Sequence, residues 1–504
     1  MDYLLQFLTH TQSSFLFTSW DFWLFLAVCL AGFCLCYKHP QARNTFLLAC
    51  SFFFYYKTGG YFIFILLLSI LLNYGIGLQM DTAQDRKKKR WLTTGIIANL
   101  LILGLFRYSA FFTQVFNAIF NTGLPAIDYF SSISTQDVAG NGVPWMARLI
   151  PPIGLSFFTF QALSYLIDIK QDKIQAVKDL GDFSFYLCFF PQLVAGPIVR
   201  AGQFMPQLQK HYMLSIKEFS AALYLILGGL IKKIVFADYI SLNFSAPVFD
   251  NPEAFSNLER WIAIYAFSLR IYCDFSGYTD IAIGIAALFG FQLPENFRAP
   301  YKASSLTAFW RRWHISLSTW FRDYLYIPLG GNRHGMTRCC TALLITMSLA
   351  GFWHGPGIGF LIWGGTHGLL LCLEKITGWH HLTERSRFGQ VLGWLLTFNL
   401  VSLCWILFRS PQLQTAADLF FGLFAPMDWT LLPDILQQHG LCFILILLAF
   451  IIVVLVPERS KKSLEHRFCQ SPLWLQFLFT LAVAGLLLLF QSGSTEIPFI
   501  YSGF

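Results

Sequence analysis

The sequence predicts an all-α polytopic membrane protein, on the strength of its hydropathy, the spacing of its apolar runs and the placing of its basic residues. Of 504 residues, 56% are hydrophobic and only 12% are charged, and the mean hydropathy is +0.55. A soluble domain carries about a quarter charged residues, so the solvent for most of this chain is lipid. Phenylalanine is the extreme case, with 54 copies beside 15 Trp and 20 Tyr. Such side chains suit membrane interfaces and the walls of apolar cavities.

A helix needs about 20 apolar residues to cross the hydrocarbon core. Runs of that kind lie near 15–37, 59–79, 91–116, 149–169, 216–240, 259–290, 341–353 with its neighbour 358–373, 389–408, 439–456 and 472–490. Shorter runs at 44–56, 181–199 and 414–425 read as tight spans or re-entrant segments. Together they predict a bundle of about 11–13 crossings at that span length. Basic stretches then orient the first half. Lys38–Arg43 follows the first run, Arg86–Arg90 the third and Lys170–Lys178 the fifth, whereas Thr58–Gly60 and Thr122–Met146 contain no Lys or Arg, and the latter has only Asp128 and Asp137 charged. Lysine and arginine stay in the cytoplasm, so a multi-pass protein with its N-terminus outside is expected.

The formal net charge of +8 is accounted for by this topology signal, and no nucleic acid partner is implied. The 12 cysteines lie mostly inside apolar runs without CxxC or Cys/His ligand spacing, which reads as inert thiol and not as metal site. Met1–His10 is not basic and no small-residue cleavage site follows the first run, so no cleavable signal peptide is expected. One continuous membrane domain is expected over 1–504, with its core at about 90–410 and peripheral helices in 1–80 and 411–504.

Function is sought where polarity intrudes. Ionisable groups at bilayer depth are costly and usually face a cavity, a partner or a substrate path. Three clusters qualify. In Arg270–Asp280, Arg270 and Asp274 are four apart and can pair on one helix face; an internal ion pair and a direct catalytic role are both open. Asp280 needs a partner from another segment, with Arg311 and Arg312 the candidates. The second cluster, Phe309–Tyr324, is too polar for a lipid-facing span and too aromatic for an ordinary loop. As a helix it would set Trp310, His314 and Leu317 on one face. It would then lie at the membrane interface or wall a reaction chamber, with Trp313 in the same wall, where Arg311, Arg312 and Arg322 draw in a phosphate-bearing donor and His314 stands near the chemistry.

The third cluster ends an apolar run at Trp353-His354, followed by Gly355, Pro356, Gly357 and Gly359. Broken helices at membrane depth are tolerated only where they line a protein-buried or wet cavity, which gives His354 a place where a substrate can approach. A structural histidine is the alternative there, and for His367 a packing role is the stronger reading. Imidazole is also the base that acyl transfer to a hydroxyl needs, since it titrates near neutrality. No GxSxG elbow and no phosphate-binding G-x-x-x-x-G-K-[ST] loop is present.

Several blocks closely resemble the membrane-bound O-acyltransferase (MBOAT) family. They are Asp274–Gly284, Pro294-Glu-Asn-Phe297 and Phe309–Arg333, with Pro152–Gln161, Phe190–Arg200 and the ending Phe499–Tyr501. The nearest likeness is to its bacterial branch of alginate O-acetylation proteins, peptidoglycan O-acetyltransferases and teichoic acid D-alanylation proteins. The resemblance implies a multi-helix bundle around a central tunnel, with a funnel open to the cytoplasm and no bound metal or cofactor. It sets the family's invariant histidine at His354 and a second important one at His314, with Trp353 beside them. It also implies one half of a relay in the bacterial inner membrane. Acetyl is taken from a cytosolic donor, acetyl-CoA, and a separate periplasmic or surface acetyltransferase partner completes transfer to a polysaccharide acceptor. Two readings compete with this: acyl or D-alanyl transfer from a carrier protein, and a proton-coupled transporter built on Arg270, Asp274, Asp280 and His354.

Overall fold

The computed structural model describes Phe15 and residues 17–124, 153–384, 386–410 and 412–491. Met1–His10, Asp128, Asp137, the start of the Pro152–Gln161 block and Phe499–Tyr501 lie outside them. Among the described residues the chain is helical throughout, with no β-strand, as expected where every backbone N–H and C=O must be satisfied within lipid. Seven helical stretches there are long and apolar enough to cross a membrane: Pro40–Thr82, Asp85–Arg107, Ile216–Asp250, Gly335–His354, Arg387–Arg409, Trp429–Leu455 and Leu473–Gln491. The first holds two helices, Pro40–Gly59 and Ile63–Thr82, joined by one short turn. The short 44–56 run is thus the middle of a 20-residue helix. The 181–199 run instead breaks into helices of 9 and 4 residues, Leu180–Cys188 and Phe190–Leu193, too short to span.

Two compact units make up the chain, Met1–Leu214 with Ile285–Leu293 and Ser215–Gly284 with Pro294–Phe504. The first is held by phenylalanine packing and a few interior polar ties. Phe25 and Phe54 meet Phe190 at 5.4 and 5.6 Å between ring centroids. Arg43, only 2% exposed, donates to the carbonyls of Leu208 and Lys210 at 2.8 and 3.0 Å. Asn73 and Asn99 exchange hydrogen bonds of 3.1 and 2.7 Å between neighbouring helices, polar glue of the kind that joins helices in lipid.

The second unit opens with a capping box: Ser215 and Glu218 satisfy each other's backbone N–H and start helix Ile216–Leu230. That helix continues as a wider π-turn over Ile231–Asp238 and crosses helix Asn257–Leu288 at two glycines. A β-carbon on Gly229 would stand 2.6 Å from the Gly277 carbonyl oxygen, so only glycine permits this approach. The crossing brings Lys232 to Asp280 at 2.5 Å and Lys233 to Asp274 at 2.8 Å, with Lys233 also 2.7 Å from Asp238.

Two expectations are corrected by this crossing. Asp280 is paired by Lys232, not by Arg311 or Arg312. Asp274 is paired by Lys233, while Arg270 lies over the Phe267 ring, 5.6 Å away, with no carboxylate within ion-pair distance among the described residues. The reason is geometric: a lysine on the crossing helix reaches the carboxylates head-on.

Candidate active site

The Phe309–Tyr324 segment is not one helix. Helix Leu306–Trp310 ends, the chain turns through Arg311–His314, and helix Ile315–Phe321 begins. His314 adopts the left-handed conformation, φ 43° and ψ 57°, which is uncommon for a side-chain-bearing residue and interrupts the helix. Nor is the segment an interfacial helix: Trp313, His314, Leu317 and Trp320 are all under 8% exposed. The turn is held from upstream. Ile315 N–H donates to the Asn296 carbonyl and Arg298 N–H to the Arg312 carbonyl, each at 2.9 Å. The Asn296 side-chain oxygen accepts from Ser316 N–H at 3.1 Å and Ser316 Oγ at 2.9 Å, and lies 3.1 Å from His314 Nδ1. From the other side Glu374, fully buried, accepts the amides of Leu306 and Thr307 at 2.6 and 3.2 Å.

His354 is the last residue of helix Gly335–His354 and is 3% exposed. The extended backbone at Gly355 stops the helix, as the glycine run predicts. Trp353, Trp363 and Phe408 present their rings edge-on to it at 5.0, 5.3 and 5.3 Å. His314 sits among Phe275, Phe297 and that same Trp353, at 4.5, 6.4 and 6.2 Å. The two histidines therefore share a tryptophan wall. His367 is buried between Trp310 and Trp363.

A cavity of about 310 Å³ has His354 in its wall together with Trp310, Arg311, Arg322, Asn332, Thr346, Ala350 and Lys375. A second of about 460 Å³, lined by Ser305, Met336, Cys339 and His380 among others, shares Thr307, Arg311, Asn332 and Lys375 with it. One stripe of a single helix, Met336, Cys339, Leu343, Thr346, Met347, Ala350 and His354, borders the two in succession. At 1.5 Å rise per residue it runs about 27 Å. The cationic groups Arg311, Arg322 and Lys375 face this passage, and two buried polar atoms on its wall, Trp310 Nε1 and Thr346 Oγ1, have no hydrogen-bond partner among the described residues.

Of the residues singled out in the sequence, His354, Trp310, Arg311 and Arg322 therefore line one cavity, and Trp353 backs it. Arg322 also pairs with Asp323 at 2.7 Å. Trp313 lies in the packing core, stacked on Phe309 and against Trp405. Arg312 contributes its carbonyl to the turn, and Asp274 and Asp280 belong to the helix crossing. Lys375, Asn332, Asn296 and Glu374 were missed. Asn332 binds Tyr326 and Lys375 at 2.7 and 2.5 Å. Asn296 and Asn332 both lie inside the blocks quoted above, and that placing is the signal that could have flagged them.

The model of the MBOAT, membrane-bound O-acyltransferase, family matches residues 102–409, a stretch holding this whole cavity. The chain belongs to the membrane-bound O-acyltransferase family. It is thus a multi-pass membrane protein of that family. Among its relatives, a "Probable alginate O-acetylase" of Pseudomonas syringae pv. tomato is 37% identical over 364 residues, 71% of this chain and 65% of that one. A protein of the same name from Azotobacter vinelandii is 34% identical over 434 residues, 84% of this chain and 82% of the other. A "Peptidoglycan O-acetyltransferase" of Helicobacter pylori is 36% identical over 384 residues, 70% of this chain and 68% of the other. The match thus spans just under two thirds of the Pseudomonas protein's length. Among the described residues of this MBOAT chain, no group of three His, Cys, Asp or Glu is arranged to hold a metal ion.

Proposed function

We propose that this MBOAT chain takes acetyl from a cytosolic thioester, acetyl-CoA, and passes it across the bacterial inner membrane for O-acetylation of an exported or envelope polysaccharide. The observation that carries the proposal is the continuous passage from Arg311 and Lys375 to His354. Its polarity matches a donor with an anionic end and a reactive end. Guanidinium and ammonium groups hold phosphate oxygens, while Trp310 Nε1–H and the Thr346 hydroxyl can meet polar groups along a long thioester arm.

At the other end, His354 acts as general base with His314 beside it. It removes the proton of the hydroxyl that first receives acetyl, ahead of the polysaccharide, while that oxygen attacks the thioester carbonyl; the carbon–sulfur bond then breaks and the thiolate leaves with a proton. Such a base contributes about 10²–10⁴-fold. The buried aromatic wall keeps water, a competing acceptor, from the thioester. The relatives' names, alginate O-acetylase and peptidoglycan O-acetyltransferase, support a polysaccharide acceptor. Because that acceptor is exported, a periplasmic or surface partner completes the transfer; the basic stretches Lys38–Arg43, Arg86–Arg90 and Lys170–Lys178 support an N-terminus outside.

The test is release of free coenzyme A thiol from acetyl-CoA by the purified chain in lipid nanodiscs with its partner present. Turnover that falls to background in His354→Ala, with the variant inserted and folded, is the expected result. An inert wild-type chain that accepts an acylated carrier protein instead would replace the donor.

A further inference from the structure

The Pro294–Phe297 block carries a residue whose geometry decides which nitrogen of His314 can work as a base. Asn296 is fully buried, and three donors converge on one atom of its amide: Ser316 N–H at 3.1 Å, Ser316 Oγ at 2.9 Å and His314 Nδ1 at 3.1 Å. A backbone N–H can only donate. The amide atom facing Ser316 is therefore the oxygen, and an amide NH₂ turned into that place would oppose the Ser316 N–H. An amide oxygen only accepts, so His314 Nδ1 must carry its proton. The neutral imidazole is thereby held as the Nδ1–H tautomer, with the lone pair on Nε2.

The backbone agrees with this. The left-handed φ of 43° at His314 is strained for a residue with a side chain and persists only where its surroundings over-determine it. Here the Arg298 N–H to Arg312 carbonyl bond ties the chain before the strained residue, and the Ile315 N–H to Asn296 carbonyl bond and the Ser316 contacts tie it after.

We infer that Asn296 is a positioning residue of the transferase: it fixes the His314 tautomer and makes Nε2 the atom through which His314 takes up and returns a proton. The inference rests on the reading of His314 as part of the reaction chamber. In the step, His354 takes the hydroxyl proton as the oxygen–carbon bond forms and hands it to the Nε2 lone pair of His314; when the carbon–sulfur bond breaks, that proton goes to the departing thiolate. The role resembles that of any group that holds a catalytic imidazole in one tautomer. The charged and titratable surroundings are few. His354 is the titratable group whose charge acts on His314. On the segment bearing Asn296, the exposed Glu295 and Arg298 pair with each other at 2.5 Å. On helix Asn257–Leu288, Asp274 is taken by Lys233. Arg311 and Arg312 precede His314 on its own turn, and the rings of Phe275, Phe297 and Trp353 stand against it.

Two readouts test this on the full-length protein in nanodiscs. The first does not depend on turnover: ¹⁵N NMR of histidine-labelled protein, with His314→Gln identifying the signal. The Nδ1–H tautomer is expected in the wild type and a mixture of tautomers in Asn296→Ala. An Nε2–H tautomer in the wild type overturns the inference, even if the enzyme proves to use another donor. The second is the pH dependence of acyl transfer. Asn296→Asp keeps the acceptor but adds a negative charge that stabilises imidazolium. A base works only when unprotonated, so the acid limb of kcat/KM should move to higher pH, by about one unit or more. Asn296→Ala should lower kcat about tenfold or more with KM within about twofold. Superimposable pH profiles for wild type and Asn296→Asp, in an active enzyme, overturn the inference. No turnover in any variant, with the expected tautomer, counts against the acetyl-CoA reading and leaves the positioning intact.

Discussion

Lys233 sets the tone at the scale of single residues, because it is 3% exposed and stands between two carboxylates, Asp274 and Asp238. A buried ion pair is weak evidence for net stability, but removing one partner strands the other. Lys233→Met is therefore expected to cost about 3–5 kcal/mol, read as a lower unfolding midpoint in detergent. Transfer activity per folded molecule should stay within about twofold, since neither partner lines the His354 cavity. Unchanged stability with abolished activity would return Asp274 to the catalytic candidates. The same comparison bears on a transporter built on Asp274 and Asp280, whose carboxylates both belong to this crossing. His354 was legible because glycine and proline follow it directly in the sequence. The lysine partners of Asp274 and Asp280 were not: Lys233 and Lys232 lie over 40 residues from them, and only the Gly229–Gly277 approach brings them together.

Helices decide the next scale. Gly335–His354 and Ile358–Thr377 pack so closely that a β-carbon on Gly351 would stand 2.2 Å from the Phe360 carbonyl oxygen and 2.9 Å from Gly364 Cα. The obstacles are backbone atoms, which cannot swing aside. Gly351→Ala must push the helices apart, at an expected cost of about 1–3 kcal/mol for overpacking. His354 is one turn away, so activity should fall further than stability does, measured as residual turnover against unfolding midpoint. Normal activity in a stable Gly351→Ala protein would mean that the interhelical distance does not set the site. Long apolar helices were readable from run length, down to the 32-residue Asn257–Leu288. The broken Phe309–Tyr324 segment was not. Its pattern fits a helix, and the break is imposed by Asn296, 18 residues before His314, and by Glu374, 68 residues beyond Leu306. Local periodicity carries no trace of such ties.

For the whole molecule, orientation fixes which end of the passage meets the donor. Arg86–Arg90 is a run of five basic residues at the start of helix Asp85–Arg107, the positive end of its dipole, where cations are unfavourable. A topological role explains their placement, since basic loops remain cytoplasmic. Lys87→Cys, at an exposed position, is therefore expected to react with a membrane-impermeant maleimide in inverted vesicles and not in intact cells, beyond the background of the native cysteines. Labelling from outside would reverse the proposed topology and with it the source of the acyl group.

Acetyl transfer to a polysaccharide through His354 is the central claim, and cellular acetate tests it most directly. Base-releasable acetate would be measured on envelope and exported polysaccharides from three strains: intact, deleted, and deleted but carrying His354→Ala at normal membrane abundance. The expected result is a loss of acetate in the deletion that His354→Ala fails to restore, with the depleted fraction naming the acceptor. Acetate unchanged across all three strains, while the intact protein is expressed, would contradict it.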